Sequence, residues 1–217
     1  MTCHSYIFFD SEPSIRLIPD AELRQQTDQF AAAIEGNNRV KTFAYTTLGF
    51  KAGTRFMLWV QADSADELQA MLNALMHTPL SRHLKITYTL FGLVRRSQYS
   101  KVDPAAEVAA DHRNRYLIVY PFSKTQEWYF LGFEERKNLM IEHMKIGHKF
   151  AHIQQLLLYG YGVDDHEFIL SYETDDLADF QTVVMELRAS QVRRYTAYDV
   201  PVYTCIHRPL REALQAA

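Results

Sequence analysis

Five polar side chains interrupt an apolar stretch in the second half of the chain. They are the phenol of Tyr120, the amine of Lys124, the indole of Trp128, the imidazole of His143 and the carboxamide of Gln155. Tyr120 and Lys124 fall on one face of a predicted strand, about 13 Å apart at the usual rise per residue. A phenol and an amine at this spacing could hold two carboxylates along the edge of a porphyrin. The alternative interpretation is a core tyrosine followed by a lysine whose head group reaches solvent.

His143 lies on a predicted helix, and most of its neighbours three and four residues away are apolar, so its imidazole is expected on the buried face. A neutral imidazole is a good axial ligand for haem iron. Gly147, one turn later, would let a flat ring system approach the helix closely. The alternative is a buried histidine that is hydrogen-bonded to a protein carbonyl or carboxylate. The spacing of His148 and His152 does not suit a zinc site.

Gln155 alternates with the apolar residues Ile153 and Leu157 on a predicted strand. A buried carboxamide without a hydrogen-bond partner costs about 1–3 kcal/mol. Its partner could be an oxygen-containing ligand on iron, or else backbone or water. Gln154 is equally polar and points to the opposite face, so the pattern leaves the choice between the two glutamines open. Trp128, at the start of the predicted helix, is either a packing anchor or a contact for a ligand edge.

The elements that would position these groups occur twice, in the order strand, helix, strand, strand, helix, strand. The segment that begins at Phe56 aligns without gaps on the segment that begins at Phe168, and each runs from an apolar strand through an Asp-containing cap into an amphipathic helix. Such self-similarity indicates duplicated units, and this order is that of the split βαβ, ferredoxin-like unit. The predicted strands cover residues 5–10, 39–49, 55–62, 84–93, 116–122, 153–161, 167–173 and 200–206, and the helix that carries His143 covers residues 134–147.

The predicted fold class is therefore α+β, with two tandem ferredoxin-like repeats at residues 1–96 and 115–217. A polar linker, residues 97–114, separates them. Several strands are apolar on both faces, which predicts sheets that are covered on both sides. Two four-stranded sheets that meet face to face would form a closed, barrel-like core.

Composition narrows the class of protein. A formal charge of -3 over 217 residues leaves no basic footprint for nucleic acid, and the pair Arg193-Arg194 is interpreted as a solvated face or a contact for small anions. The chain has no basic N-terminal signal peptide and no run of about eighteen apolar residues, so neither export nor a membrane span is expected. Cys3 and Cys205 form no disulfide framework, which fits a reducing compartment. The prediction is a soluble, cytoplasmic protein.

Taken together, these features resemble the chlorite dismutase-like superfamily of haem proteins. The resemblance covers most of the chain and is most specific over YPFSKTQEWYFLGFEERKNLMIEHMKIGHKF, followed by GVDDHEF, YETDDLADF and VMELR. It implies two ferredoxin-like repeats that form a dimeric α/β barrel. It also implies a homo-oligomer, usually a pentamer and in some short members a dimer.

The resemblance implies a role for most of the polar groups. His143 matches the proximal ligand of the haem iron, and Trp128 with Tyr129 matches an aromatic pair near the haem edge. Tyr120 and Lys124 match the coproheme decarboxylase branch, in which the tyrosine forms a radical beside a reactive propionate and the lysine assists that propionate.

Two further positions bear on the branch. Tyr99, in RRSQY, matches a tyrosine that contacts a propionate. Gln155 stands at the distal position, where oxygen-evolving chlorite dismutases carry an arginine, a side chain that is positively charged at any working pH. The expected function is thus peroxide-dependent decarboxylation of iron coproporphyrin to haem b, with iron coproporphyrin or haem b as the bound group.

Three alternatives stay open. RRSQY and the short connection between Lys124 and Trp128 are closer to the chlorite-degrading branch, which would make the chain a chlorite dismutase. A non-enzymatic haem-binding protein would need only the fold and His143. A relative of the same fold that acts on another small molecule would need no haem.

Overall fold

The computed structural model describes residues 2–99 and 112–215. Most of the predicted linker, residues 100–111, lies outside the described residues. The chain divides into two compact units, Met1–Leu93 with Tyr203–Ala217, and Val94–Val202. The C-terminal segment thus belongs with the first unit, whereas the sequence interpretation assigned it to the second repeat.

The strands are β1 (Cys3–Ser11), β2 (Val40–Thr46), β3 (Phe56–Ala62), β4 (Leu84–Val94), β5 (Tyr116–Lys124), β6 (Gln154–Tyr159), β7 (Phe168–Thr174), β8 (Thr196–Tyr198) and β9 (Tyr203–Arg208). The helices are α1 (Asp20–Glu35), α2 (Ala65–Met76), α3 (Gln126–Phe130), α4 (Phe133–Gly147), α5 (Leu177–Arg188) and α6 (Leu210–Leu214). Short 3-10 turns occupy Pro13–Leu17, Leu80–His83, His148–Phe150 and Gln191–Tyr195. None of the helices described is long and apolar enough to cross a membrane.

Both units have the antiparallel strand order of a ferredoxin-like sheet. In the first unit the order is β4-β1-β3-β2, and in the second it is β8-β5-β7-β6. The repeat extends to the helix caps, because Ser64 accepts a hydrogen bond at the start of α2 and Asp176 accepts two at the start of α5. The predicted α+β class with ferredoxin-like repeats is confirmed.

The strand predicted at residues 200–206 corresponds to β9, but β9 begins three residues later than predicted and belongs to the first unit. The fourth strand of the second unit is the short β8, in which Tyr198 pairs with Ser123 of β5. β9 begins only at Tyr203 and adds a fifth strand to the first unit by pairing with β2. Pro201 cannot donate a ladder hydrogen bond, so β8 and β9 are separate strands. β8 has too few residues for an alternating apolar pattern to predict it.

The first unit packs a closed apolar core between its sheet and its helices. Phe56 and Leu58 of β3 are fully buried there, together with Phe30 of α1 and Leu75 of α2. Burial of apolar side chains of this size is the main stabilising contribution to such a unit.

The second unit leaves the equivalent face of its sheet more open. Phe168, which aligns with the fully buried Phe56, is half-buried. α4 makes its main contacts with α5 and with the turn Gln191–Tyr195, and it buries none of its side chains fully. This face is therefore less completely covered than the equivalent face of the first unit, and it is the face on which the polar groups lie.

Candidate functional site

Strand register brings Gln155 and Tyr120 to one face of the second sheet. Gln155 pairs with Tyr172, and Tyr120 pairs with Leu170 two residues earlier on β7. Directly opposed residues share a face, as do residues two apart on one strand. Gln154 pairs with Glu173 and therefore points to the opposite face. Of the two glutamines that the sequence left open, Gln155 is the one that lies on the face of Tyr120, with its side chain exposed.

Tyr120 is held in a pair of phenols. Its ring lies 6.3 Å from that of Tyr172, and the two rings are stacked. Tyr172 is itself buried. Burial raises the pKa of Tyr120 to about 12. Phe180 of α5 packs on Tyr172 from the helix side, with 5.2 Å between ring centres. Tyr120 therefore keeps its hydroxyl proton at neutral pH on the face that looks toward the helices.

Lys124, the last residue of β5, lies over aromatic rings. Its Nζ is 4.7 Å from the centre of the Trp128 ring and 5.7 Å from that of Phe122. Burial, followed by the charge of Arg193, lowers the pKa of Lys124 to about 8, while Glu167 opposes the shift. The amine is mostly charged at neutral pH, but it is poorly hydrated and ready to accept a carboxylate partner.

Trp128 anchors an aromatic cluster at the start of α4. It is 3% exposed, which fits the packing interpretation, and it contacts Tyr195 as well as Lys124. Tyr99 meets it edge-on with 6.3 Å between ring centres and stacks on Phe133 at 6.0 Å. Burial raises the pKa of Tyr99. The structure thus brings Tyr99, Trp128 and Lys124 together, as the sequence interpretation required of an edge-binding group.

His143 is half-buried on α4, and its Nδ1 atom is buried with no hydrogen-bond partner among the described residues. Burial, followed by the positive charge of Lys124, lowers its pKa to about 4. The imidazole is therefore neutral at physiological pH, as a metal ligand must be. A Cβ added to Gly147 would meet no described atom within 4 Å, so the side of the helix one turn later is open.

Two arginines that the sequence interpretation did not assign also approach this face. Asp199 forms ion pairs with Arg188 at 3.0 Å and with Arg193 at 3.2 Å. Both arginines act electrostatically on Tyr120. The only sequence signal for Arg193 was the basic pair Arg193-Arg194. That pair was interpreted as a solvated face or a contact for small anions. The turn Gln191–Tyr195, which packs on α4, brings Arg193 to the site.

A second missed group adjoins Lys124. The Tyr129 hydroxyl lies 2.6 Å from Glu167 and 2.6 Å from the Tyr161 hydroxyl. Glu167 also accepts the backbone N–H of Lys124 at 2.7 Å. Tyr129 was expected at the ligand edge, whereas Tyr161 and Glu167 were predicted as end residues of strands and lie instead between β6 and β7.

These residues fit an iron porphyrin. The open sheet face suits a flat ring, the neutral imidazole suits iron, and Lys124 with the arginines suits the carboxylates of a porphyrin edge. The described residues contain no group of three or more His, Cys, Asp and Glu side chains able to hold a metal. A metal bound at His143 would therefore need most of its ligands from a macrocycle.

Comparison with known proteins agrees with this geometry. The family model described as chlorite dismutase matches residues 21–208. The chain is 27% identical over 185 residues to a coproheme decarboxylase of Mycolicibacterium smegmatis, covering 85% of this chain and 80% of the relative. It is 29% identical over 198 residues to a coproheme decarboxylase of Staphylococcus carnosus, covering 81% of this chain and 79% of the relative.

A solved structure shows the same fold. The chlorite dismutase from Candidatus Nitrospira defluvii in complex with imidazole matches with a TM-score of 0.90 at 24% identity, covering 99% of this chain and 94% of that one. The family resemblance and the iron-porphyrin cofactor that the sequence predicted are confirmed at the level of the family. The chain belongs to the chlorite dismutase family of haem-binding oxidoreductases.

Proposed function

We propose that the protein removes two carboxyl groups from iron coproporphyrin, with peroxide as oxidant, and so forms haem b. The observation that carries the proposal is the position of Tyr120, a half-buried and protonated phenol on the same open sheet face as Gln155. Lys124 follows four residues later, with its Nζ over the Phe122 ring. The similarity to two coproheme decarboxylases supports it further. When bound, the iron porphyrin supplies the redox centre that reacts with peroxide, and it is at the same time the substrate.

His143 would hold the iron. Its pKa of about 4 keeps the lone pair of the imidazole available throughout the physiological range. At Gly147, one turn later, no described atom lies within 4 Å of where a Cβ would stand, so no side chain at this position would obstruct the ring. The His143 Nδ1 is buried with no hydrogen-bond partner among the described residues, and an unpaired buried polar atom is costly.

Lys124, Arg188 and Arg193 would bind the propionates. Four carboxylates distinguish coproporphyrin from haem b, and a site with several cations on one side stabilises the more highly charged ligand. Asp199 pairs with both arginines and keeps them oriented when no ligand is bound. Tyr99 would add a hydroxyl to the same edge of the ring.

Tyr120 would relay the oxidising equivalent to a propionate. Because its pKa is about 12, the phenol gives up an electron and its proton together rather than ionising first. Tyr172 would orient it by stacking on its ring, with 6.3 Å between ring centres. The carboxylate held by Lys124 would therefore be the one that reacts beside Tyr120.

Incubation with iron coproporphyrin and hydrogen peroxide, with products resolved by mass spectrometry, tests the proposal. The expected product has lost two carbon dioxide units. Tyr120→Phe should bind the substrate and convert none of it, whereas Tyr116→Phe, four residues earlier on the same strand, should convert it normally. Full conversion by Tyr120→Phe, or no loss of carbon dioxide by the unaltered protein, would overturn the proposal.

Chlorite dismutation is the second candidate, favoured by the family model and by the solved chlorite dismutase. Gln155 is neutral and exposed, so this face offers an incoming anion no distal guanidinium from that position. Chlorite added to haem-loaded protein in an oxygen electrode separates the two functions. Rapid and sustained oxygen release would favour dismutation over decarboxylation.

We also propose that the protein works as a homo-oligomer in the cytoplasm, with a pentamer as the expected form. The side chains of Phe130 and Met185 in the second unit are 77% and 68% exposed, which supports burial of this apolar surface in an assembly. Mass photometry of the purified protein would measure the number of subunits, and fractionation of cells would establish the compartment.

A further inference from the structure

Tyr129 combines a carboxylate partner with exposure to solvent. Its hydroxyl donates to Glu167 Oε2 over 2.6 Å, and the Tyr161 hydroxyl lies 2.6 Å from the same phenol oxygen. A phenol has only one proton to donate. Since the carboxylate is the stronger acceptor, Tyr129 donates to Glu167 and Tyr161 donates to Tyr129. An O–H···O⁻ bond of this length is a strong, charge-assisted one.

The backbone holds Glu167 in place as an acceptor. Its Oε2 also accepts the backbone N–H of Lys124 at 2.7 Å, and its own N–H donates to Ser123 Oγ at 3.2 Å. Ser123 in turn donates to the Tyr198 hydroxyl at 2.9 Å. The carboxylate is thus fixed beside the phenol before any reaction, and a fixed acceptor needs little reorganisation to take up a proton.

Tyr129 connects the aromatic cluster to the surface. It directly follows Trp128, which is 3% exposed and lies beneath Lys124, whereas Tyr129 itself is 39% exposed. Burial raises the pKa of Tyr129, and so does the adjacent Glu167 carboxylate. Loss of the proton alone is therefore unfavourable, and loss of an electron must be accompanied by transfer of the proton to an adjacent base.

We propose that Tyr129 and Glu167 form a redox-active pair through which small one-electron donors, such as ascorbate or phenols, reduce the protein at its surface. In the forward step an oxidant takes one electron from Tyr129, the phenolic O–H bond breaks, and the proton moves to Glu167 Oε2. In the return step a donor molecule gives one electron to the neutral tyrosyl radical, which recovers its proton from Glu167. One peroxide supplies two oxidising equivalents and therefore consumes two donor molecules and two protons, forming two waters.

Some oxidising equivalents do not react with the substrate. These equivalents would leave the site through the Tyr129–Glu167 pair. This inference rests on the proposed function only for the source of the oxidant, which in the loaded protein is peroxide. The redox chemistry of the pair itself can be examined in the apoprotein, where no porphyrin reaction is needed.

The first test uses apoprotein and a photogenerated one-electron ruthenium(III) oxidant, with electron paramagnetic resonance and peptide mapping as readouts. A neutral tyrosyl radical at Tyr129 is expected. Tyr129→Phe should lose this signal, and Tyr116→Phe, which removes a half-buried tyrosine of the same unit, should keep it. Glu167→Gln retains an acceptor oxygen but takes no proton at neutral pH, so the radical should form about tenfold more slowly.

An unchanged radical signal in Tyr129→Phe, or an unchanged rate in Glu167→Gln, would overturn the pair. The second test follows peroxide-driven oxidation of ascorbate by haem-loaded protein. Tyr129→Phe should lose the saturable part of this activity, and Tyr116→Phe should keep it. If the unaltered protein decarboxylates nothing while the apoprotein radical is present, the proposed function fails and the redox pair stands.

Discussion

Lys124 Nζ lies 4.7 Å from the centre of the Trp128 ring, so the amine expected to bind a carboxylate rests on the indole expected near the ligand edge. The contact partly replaces the water that the ammonium loses on burial. It also links the end of β5 to α3 and therefore sets the distance between the strand that carries Tyr120 and the helices that follow. The contribution of Lys124 to ligand binding can be tested through its charge.

Binding of a porphyrin with several carboxylates should weaken as pH rises through about 8. Lys124 is charged below its pKa of about 8 and neutral above it, so its attraction for a carboxylate is lost in that direction. Absorbance titrations of iron coproporphyrin across the range from about pH 6 to 9 would measure this. Lys124→Gln should bind more weakly at pH 7 and lose the pH dependence.

Lys137→Gln is the matched control, because Lys137 is an exposed lysine of α4 that pairs with Glu134 at 3.4 Å. Its variant should keep the pH dependence of the unaltered protein. If Lys124→Gln retains the full dependence, another group is responsible. In the apoprotein, Lys124 of the unfolded chain binds more protons than the folded protein between about pH 8 and its ordinary value of 10.5, so its contribution to stability should rise with pH there.

His143→Ala should abolish the absorption band of a bound iron porphyrin, because the imidazole is the neutral ligand on the open side of α4. His148→Ala removes an exposed histidine just beyond the same helix and should leave the band unchanged. Spectral titration with haem measures both, and circular dichroism checks that the helices persist. Equal affinity in the two variants would exclude His143 as the ligand.

An arginine at position 155 should attract anions to the distal face, whereas one at position 154 should not. Gln155 shares the face of Tyr120, and Gln154 pairs with Glu173 on the opposite face. Gln155→Arg in haem-loaded protein should therefore bind cyanide or azide about tenfold more tightly, equivalent to about 1.4 kcal/mol. Gln154→Arg is the matched control in spectral titrations, and equal gains in both variants would contradict the assignment of faces.

The buried ion pair Arg113–Glu173 should be important for the stability of the second unit. Arg113 Nη1 donates to Glu173 Oε1 at 2.6 Å, with 1% and 7% of the two side chains exposed. It joins the segment before β5 to the end of β7. Arg113→Met removes the charged partner of a buried carboxylate, which then keeps only the Asn114 N–H at 3.1 Å, and should lower the free energy of unfolding by about 3–5 kcal/mol.

Urea denaturation measures this loss. Lys137→Met, which breaks the exposed pair with Glu134, should change stability by no more than about 1 kcal/mol. The double variant Arg113→Met with Glu173→Leu should recover part of the stability, because no uncompensated charge is left. A single-variant loss as small as that of Lys137→Met would mean that the pair contributes little.

Much of the fold follows from local pattern. Apolar residues recur with period 3.6 in the helices and alternate in the strands, and the match between the segments from Phe56 and Phe168 reveals the duplication. The shared face of Tyr120 and Phe122 follows from the period of two along a single strand, and a register shift interrupts this alternation between Ser123 and Lys124. The half-buried position of His143 follows from its apolar neighbours on one helix face. These properties depend on neighbours in sequence, and sequence therefore predicts them.

Other properties depend on pairing between distant segments. β9 leaves the second repeat because its hydrogen bonds are to β2, and no pattern within residues 200–206 records that choice. Arg193 reaches Lys124 only because the turn Gln191–Tyr195 packs on α4. Glu167 meets Tyr129 across a long stretch of chain.

The sequence by itself determined the class of the fold, the family and the set of polar groups that an iron porphyrin requires. The tertiary structure alone decided that the helix side of the second sheet is open, since the distance of α4 from the sheet depends on what the helix packs against rather than on any single residue. It also decided that Gln155, and not Gln154, shares a face with Tyr120, because strand register is set by pairing across the sheet and a shift of one residue would exchange the two.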